Sequence, residues 1–240
     1  MSYHIVSYCS ENYADAYDFV IDSWVKTKAD RIFIYTDTDK IQSHHPKVLI
    51  IPFFQPSTSW LDGVERKVTS VCDYVSLIPG IQSFAFMDID CFITKDIGEV
   101  FGKIKDIGIT RLLEKTPHAA NTVSAAPWYA NMTPGTRQFI EEWQRMAQLY
   151  KLRGKGVHDH KVSFVQYSMT DLLRAAYEGS RPYKVYPLDK KIYNCEDQEI
   201  DRWIRTIKCN KSKVLHFKRR RFRNKNLIDR VFQILEKRSQ

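Results

Sequence analysis

The stretch Phe84-Ala85-Phe86-Met87-Asp88-Ile89-Asp90-Cys91-Phe92 follows a Pro79-Gly80 break and is apolar on both alternating faces until two acids interrupt it. A strand with two apolar faces needs cover on both sides, the pattern of an inner strand in a parallel sheet flanked by helices. The flanking sequence agrees. Residues 5–9 (IVSYC) read as a first strand, and Tyr17, Val20, Ile21, Trp24 and Val25 then recur at helical spacing. Residues 31–35 (RIFIY) and 48–51 supply two further strands. Strand, helix, strand in so short a span predicts βαβ construction and an α/β fold.

Residues 62–78 carry the clearest helical stripe, Val64, Val68, Val71, Val75 and Ile78, with Asp62 and Glu65 at capping-box spacing. Further on, 106–110, 183–186 and 213–217 read as short strands. Thr133-Pro134 starts a helix whose inward face is Phe139, Ile140, Trp143, Met146, Ala147 and Tyr150. A polar break over 151–160 leads to a helix over about 162–177, and a last helix covers about 226–236. Trp128 and Tyr129 fall in a predicted loop. No repeat or linker divides the chain, so one domain over 1–240 is expected.

Isolated carboxylates are costly to place in an apolar setting without a partner. If extended geometry persists through Ile89, Asp88 and Asp90 share one face of the strand. In open α/β sheets that position, beyond a strand's carboxyl end, is where ligands bind. Two acids there repel unless a cation sits with them, and Mg²⁺ or Mn²⁺ suits oxygen ligands. The bland alternative is that Asp88 caps a turn while Asp90 meets solvent.

Five cysteines, Cys9, Cys72, Cys91, Cys195 and Cys209, are scattered without a CxxC pair. They indicate neither a disulfide framework nor a zinc knuckle, and a reducing compartment is expected. Cys91 acquires no role at this level. No signal peptide opens the chain and no run approaches a membrane helix, which predicts a cytoplasmic location. The net charge of +9 concentrates late, in Lys211, Lys213, Lys218, Arg219, Arg220, Arg221, Arg223 and Lys225. Such a cluster predicts an anionic partner, or else a solvated face.

The run FMDIDCFITKDIGEVF resembles the metal-binding segment of GT-A-fold glycosyltransferases, the nucleotide-diphospho-sugar transferases, in which an apolar strand delivers Asp-x-Asp. The resemblance extends from IVSYCS to LHFKR. It implies a single Rossmann-related, mostly parallel sheet flanked by helices, with a donor-binding part over about 1–115 and an acceptor part over about 116–240.

Carried over, Asp90 resembles the direct metal ligand, and Asp88 the acid near the ribose that reaches the metal directly or through water. His216 resembles the C-terminal histidine that adds a further ligand. Ser7, Tyr8 and Cys9 fall where these enzymes surround the base, Asp37 where they contact the nucleoside, and Lys67 where a basic residue faces the donor. Lys218, in place of the family's usual residues after the histidine, is a candidate diphosphate contact. The segment 121–129 resembles the lining of the sugar and acceptor cleft, with Trp128 and Tyr129 as candidate sugar platforms. Asp159 takes the place of the acceptor-side acid.

Each has a structural alternative: a satisfied core histidine for His216, a helix N-cap for Asp159, a solvated helix residue for Lys67, and a turn former for Asp37. The implied activity is transfer of a sugar from a nucleoside diphosphate, a UDP-sugar by preference, to a glycan or lipid-linked hydroxyl, with Mn²⁺ or Mg²⁺. Asp159 as general base favours inversion. The basic run 218–223, interleaved with Phe222, also suits peripheral contact with an anionic membrane. A metal-dependent phosphohydrolase or nuclease and a basic nucleic-acid-binding protein are the other classes, the last disfavoured because it leaves the acidic pair unexplained.

Overall fold

A computed structural model describes residues 2–53, 55, 57–110, 125–155, 163–196, 212–217 and 223–239. Four parallel strands form one half of its main sheet: β1 (His4–Cys9), β2 (Arg31–Thr36), β3 (Val48–Pro52) and β4 (Ser83–Asp88). Helix α1 (Ala14–Val25) connects β1 to β2, and α2 (Trp60–Leu77) connects β3 to β4. β6 (Ile107–Ile109), β7 (Trp128–Asn131) and β8 (Val185–Pro187) complete a seven-stranded sheet of order β3-β2-β1-β4-β7-β6-β8. Only β7 runs against its neighbours, so the sheet is mixed but mostly parallel.

The central strands read in sequence as doubly covered, and they are. In β4, Ala85 and Met87 join one apolar core, while Phe84 and Phe86 join the other. The first core lies beneath α1 and includes Val100 and Phe101 of α3 (Val100–Lys103) and Leu227 and Val231 of the closing helix Lys225–Ser239. The second is covered by α2, α4 (Pro134–Leu152) and α5 (Phe164–Tyr177). Trp143 packs there as expected, stacked on Phe139 with ring centroids 6.0 Å apart. Burying such rings removes apolar area from water at roughly 25 cal/mol per Å², so these two layers supply the main drive to fold.

Three local expectations are corrected. α2 starts at Trp60, and its cap is Ser59, whose Oγ accepts from Asp62 N at 3.2 Å. Asp62, now inside the first turn, instead accepts from the backbone and hydroxyl of Thr58, and Ser59 is a favoured residue for the cap position. Trp128 and Tyr129 are not loop residues beside a cleft. They sit in β7, wholly buried, with Trp128 edge-on to Trp143 at 5.8 Å and Tyr129 donating to the Tyr193 carbonyl at 3.1 Å. A four-residue strand has too little length to reveal its period. Nor does β4 continue through Ile89: the chain turns at Ile89-Asp90 and re-emerges as β5 (Cys91–Ile93) in a second sheet.

That second sheet, of order β5-β10-β9, contains β10 (Val214–His216) between β5 and β9 (Cys195–Glu196). It returns a late segment of the chain to the end of β4. The strand order in the main sheet does the complementary work. From β1 the chain first proceeds outward through β2 to β3, then crosses back to place β4 on the opposite side of β1. The gap beyond the carboxyl ends of β1 and β4 is therefore a topological switch point, where an open α/β sheet forms a crevice. Among the described residues, no helix is long and apolar enough to cross a membrane.

Candidate functional site

A cleft of ≈ 460 Å³ opens at that switch point, within the roughly 300–1,000 Å³ typical of small-molecule sites. Tyr8 and Asp88, paired in register at the ends of β1 and β4, form its floor. Ser57, from the segment before α2, and Trp60 and Lys67, from the first and third turns of α2, form one wall, and Asp90 closes the other side.

The two acids converge through the turn rather than through strand alternation. Asp88 ends β4, and Asp90 is 6% exposed in the turn. The Asp90 carbonyl accepts from Phe217 N at 2.9 Å, which ties the turn to the end of β10. His216 then lies against both carboxylates, with Nε2 at 3.2 Å from Asp90 Oδ1 and 3.7 Å from Asp88 Oδ2. Lys67 reaches from α2 and donates to Asp88 Oδ1. The charge problem posed by the sequence is thus met by two cationic or basic side chains from remote elements.

Titration directions follow from that geometry. Burial alone would lower the Lys67 pKa, but the Asp88 charge and hydrogen bond outweigh it and the pKa rises. Burial likewise opposes a charged His216, yet the Asp90 carboxylate hydrogen-bonded to the ring, beside the Cys91 sulfur, holds its pKa well above the ordinary value. Burial pushes the Cys91 thiol up.

The imidazole is oriented from behind. Its Nδ1 lies 2.9 Å from Oδ1 of Asn194, which is 1% exposed. Asn194 Nδ2 faces Glu196 Oε1 at 3.2 Å and Thr110 Oγ1 at 3.1 Å. Glu196 is itself paired with Lys190 at 2.9 Å, so its carboxylate can only accept. The amide nitrogen must therefore face Glu196, the amide oxygen must face His216, and Nδ1 must carry a proton. That directs Nε2 at the acids, an arrangement that fixes the ring for coordination.

Asp37 has a different task from direct presentation to the cleft. Its side chain is 1% exposed. Oδ2 accepts from Tyr8 Oη at 2.9 Å, from Ser57 N at 2.8 Å and from the Ser57 hydroxyl, while Oδ1 receives a longer bond from Glu11 N. Arg66 approaches at 3.9 Å. Asp37 thereby holds two cleft residues, Tyr8 and Ser57, in place. Of the first-strand candidates only Tyr8 lines the cleft; Ser7 and Cys9 are buried on the other side of β1. Among the described residues Ser7 Oγ has no hydrogen-bond partner.

The candidates Asp88, Asp90, His216, Lys67 and Tyr8 are thus brought together, with Asp37 one shell behind. Asp159, Lys218 and residues 121–124 lie outside the described residues, and the cap of α5 is Ser163, in a full capping box with Gln166. Asn194 and Glu196 escaped the sequence reading because nothing local marks them; only the pairing of β9 with β10 brings them to His216. Cys91, which acquires no role from the sequence, has its Sγ and the ligand atoms of Asp90 and His216 all within 4.8 Å of one another. Trp60, which by residue type reads as a core or rim side chain, is 51% exposed on the cleft wall.

Two carboxylates and an anchored imidazole face one another at the cleft, and oxygen and nitrogen donors of this kind suit a divalent cation of the Mn²⁺ or Mg²⁺ type; among the described residues, the group whose ligand atoms lie within 4.8 Å of one another is Asp90, Cys91 and His216. Comparison of the chain with protein-family models and with curated proteins finds no match to either. The fold and cleft define an α/β protein with an acidic, histidine-backed site at the switch point of a mostly parallel sheet.

Proposed function

We propose that the protein is a metal-dependent glycosyltransferase of the GT-A type, moving a sugar from a nucleoside diphosphate, a UDP-sugar by preference, to a glycan or lipid-linked hydroxyl. The observation that carries this reading is the convergence of Asp88, Asp90, His216 and Lys67 at the switch-point cleft. A diphosphate leaving group develops negative charge as the bond to the anomeric carbon breaks, and fixed positive charge beside it lowers the barrier. A divalent cation bound by Asp90, Asp88 and His216 would supply most of that charge.

The chain's own residues do the rest. Lys67 on the cleft wall offers an ammonium to a phosphate oxygen. Tyr8, Ser57 and Trp60 shape the part of the cleft away from the acids, where a nucleoside fits, and Asp37 keeps the first two of these in position. Asp159 is the proposed base that takes the acceptor proton, which favours inversion. Action in the cytoplasm, with the late basic residues near an anionic membrane face, accords with a lipid-linked acceptor.

The test is a screen of nucleotide sugars with Mn²⁺, read by donor-dependent melting and by released nucleoside diphosphate. A response to a UDP-sugar is expected. No response to any uridine, guanosine or thymidine donor rejects the reading. Turnover of simple phosphoesters without a sugar donor would point to phosphohydrolysis.

A further inference from the structure

Two ligand sets overlap at the end of β4. Asp90 and His216 belong to both. On the cleft side the Asp88 carboxylate stands 3.7 Å from His216 Nε2, and Cys91 completes a buried set whose ligand atoms all lie within 4.8 Å of one another. The second set is built by the backbone. In the antiparallel ladder of β5 and β10, Cys91 stands opposite His216, and directly opposed residues project their side chains to the same face. Trp24 Nε1 donates to the Cys91 carbonyl at 2.7 Å, and the Phe217 bond holds the Asp90 carbonyl, so both neighbours of the thiol are pinned.

The geometry points to Asp90, Cys91 and His216 as a binding site for a thiophilic divalent cation such as Zn²⁺ or Co²⁺, competing with the harder ion of the cleft. Tetrahedral Zn²⁺ holds sulfur at about 2.3 Å and nitrogen or oxygen at about 2.0–2.2 Å, which sets the donors roughly 3.5 Å apart. Donor atoms already within 4.8 Å of one another need to close by about 1.3 Å at most. Asn194 anchors the imidazole for either ion. Sulfur is what separates them: a thiolate favours Zn²⁺ or Co²⁺ and offers little to Mg²⁺ or Mn²⁺.

On binding, the Cys91 thiol proton and the His216 Nε2 proton leave to solvent as the metal–sulfur and metal–nitrogen bonds form. The ion takes Asp90 and His216 from the outer set and leaves Asp88 with Lys67. That the bound Zn²⁺ blocks donor binding rests on the proposed function; the coordination itself does not.

The test uses Co²⁺ and Mn²⁺ on the full chain, without nucleotide. Wild-type protein should give a near-ultraviolet sulfur-to-cobalt charge-transfer band, and Zn²⁺ should abolish it and release Mn²⁺ followed by electron paramagnetic resonance. Cys91→Ala and Cys91→Ser should lose the band and require about a hundredfold more Zn²⁺ to displace Mn²⁺, since even outer partners of a ligand are worth 10–100-fold. A wild-type cobalt complex without the band overturns the inference, as does a band or a Zn²⁺ requirement unchanged in the variants. If either variant fails to fold, the other and the wild-type spectrum decide. Mn²⁺ binding with no sulfur band would reject this site and leave the transferase reading standing. The band without Mn²⁺ binding would do the reverse.

Discussion

Lys67 on α2 and Asp88 at the end of β4 form an ion pair within the cleft, 21 residues apart in sequence. The pair does two things at once. It neutralises an acid that would otherwise repel Asp90, and it keeps an ammonium at the place proposed for a diphosphate. Its partly buried setting strengthens the attraction relative to an exposed pair, whose typical net value is ~1 kcal/mol or less, at the cost of desolvating both charges.

Lys67→Met should separate those two tasks. With the ammonium gone, a cation has one competitor fewer at Asp88, and Mn²⁺ alone should bind several-fold more tightly. UDP in the presence of Mn²⁺ should bind about tenfold more weakly, the loss of about 1.4 kcal/mol of charge-assisted contact. Calorimetric titration reads both. Unchanged UDP affinity would remove Lys67 from the donor site.

Asn194→Ala tests the support behind the imidazole. Loss of the Nδ1 partner should weaken Mn²⁺ binding by about 10–100-fold. It should also cost about 1–3 kcal/mol of stability, because Glu196 and Thr110 lose a buried donor. A variant that melts lower but binds Mn²⁺ as before would make Asn194 purely structural.

Asp37 carries a pH dependence of definite sign. Burial alone would raise its pKa, yet the hydrogen bonds from Ser57 and Tyr8 and the Arg66 charge bring it below the usual value. A depressed folded pKa contributes stability that is present above the unfolded value, about 4, and lost as pH falls through the folded one. Asp37→Asn should therefore flatten the acid limb of melting temperature below about pH 4. It should also loosen Tyr8 and weaken nucleotide binding at neutral pH. A limb as steep as that of the wild type would contradict the assignment.

Trp60 offers a direct optical test. Its exposed ring on the cleft wall is placed to stack on a nucleobase or on the apolar face of a sugar. Stacking of a base on an aromatic side chain is worth roughly 1–3 kcal/mol by alanine substitution, so Trp60→Ala should weaken UDP binding about tenfold or more. Stability should change little, as for most exposed sites. Nucleotide should quench the wild-type fluorescence in a part that the variant lacks.

Much of the scaffold was legible because its signals are local. The double-sided apolar run of β4, the stripe of α2 and the spacing of α1 each follow from one element's own period. The site was legible in its letters and not in its geometry. Asp88 and Asp90 announce themselves, but the turn at Ile89 that aims them depends on β5 joining a different sheet. His216 was readable only through resemblance, and its orienting partners Asn194 and Glu196 sit 22 and 20 residues away, joined to it by strand pairing. β7, at four residues, was too short to declare itself, and two aromatics that suggested a sugar platform are core.

The central claim is that Asp90 anchors a divalent cation on which nucleotide binding in the cleft depends. Calorimetric titration of UDP into wild-type and Asp90→Ala protein, with and without Mn²⁺, tests it most directly. The account predicts that Mn²⁺ strengthens UDP binding to the wild type by at least about tenfold, 1.4 kcal/mol, and that Asp90→Ala removes this gain while remaining folded. Equal UDP binding with and without Mn²⁺ in the wild type, or a gain that survives in Asp90→Ala, would contradict it.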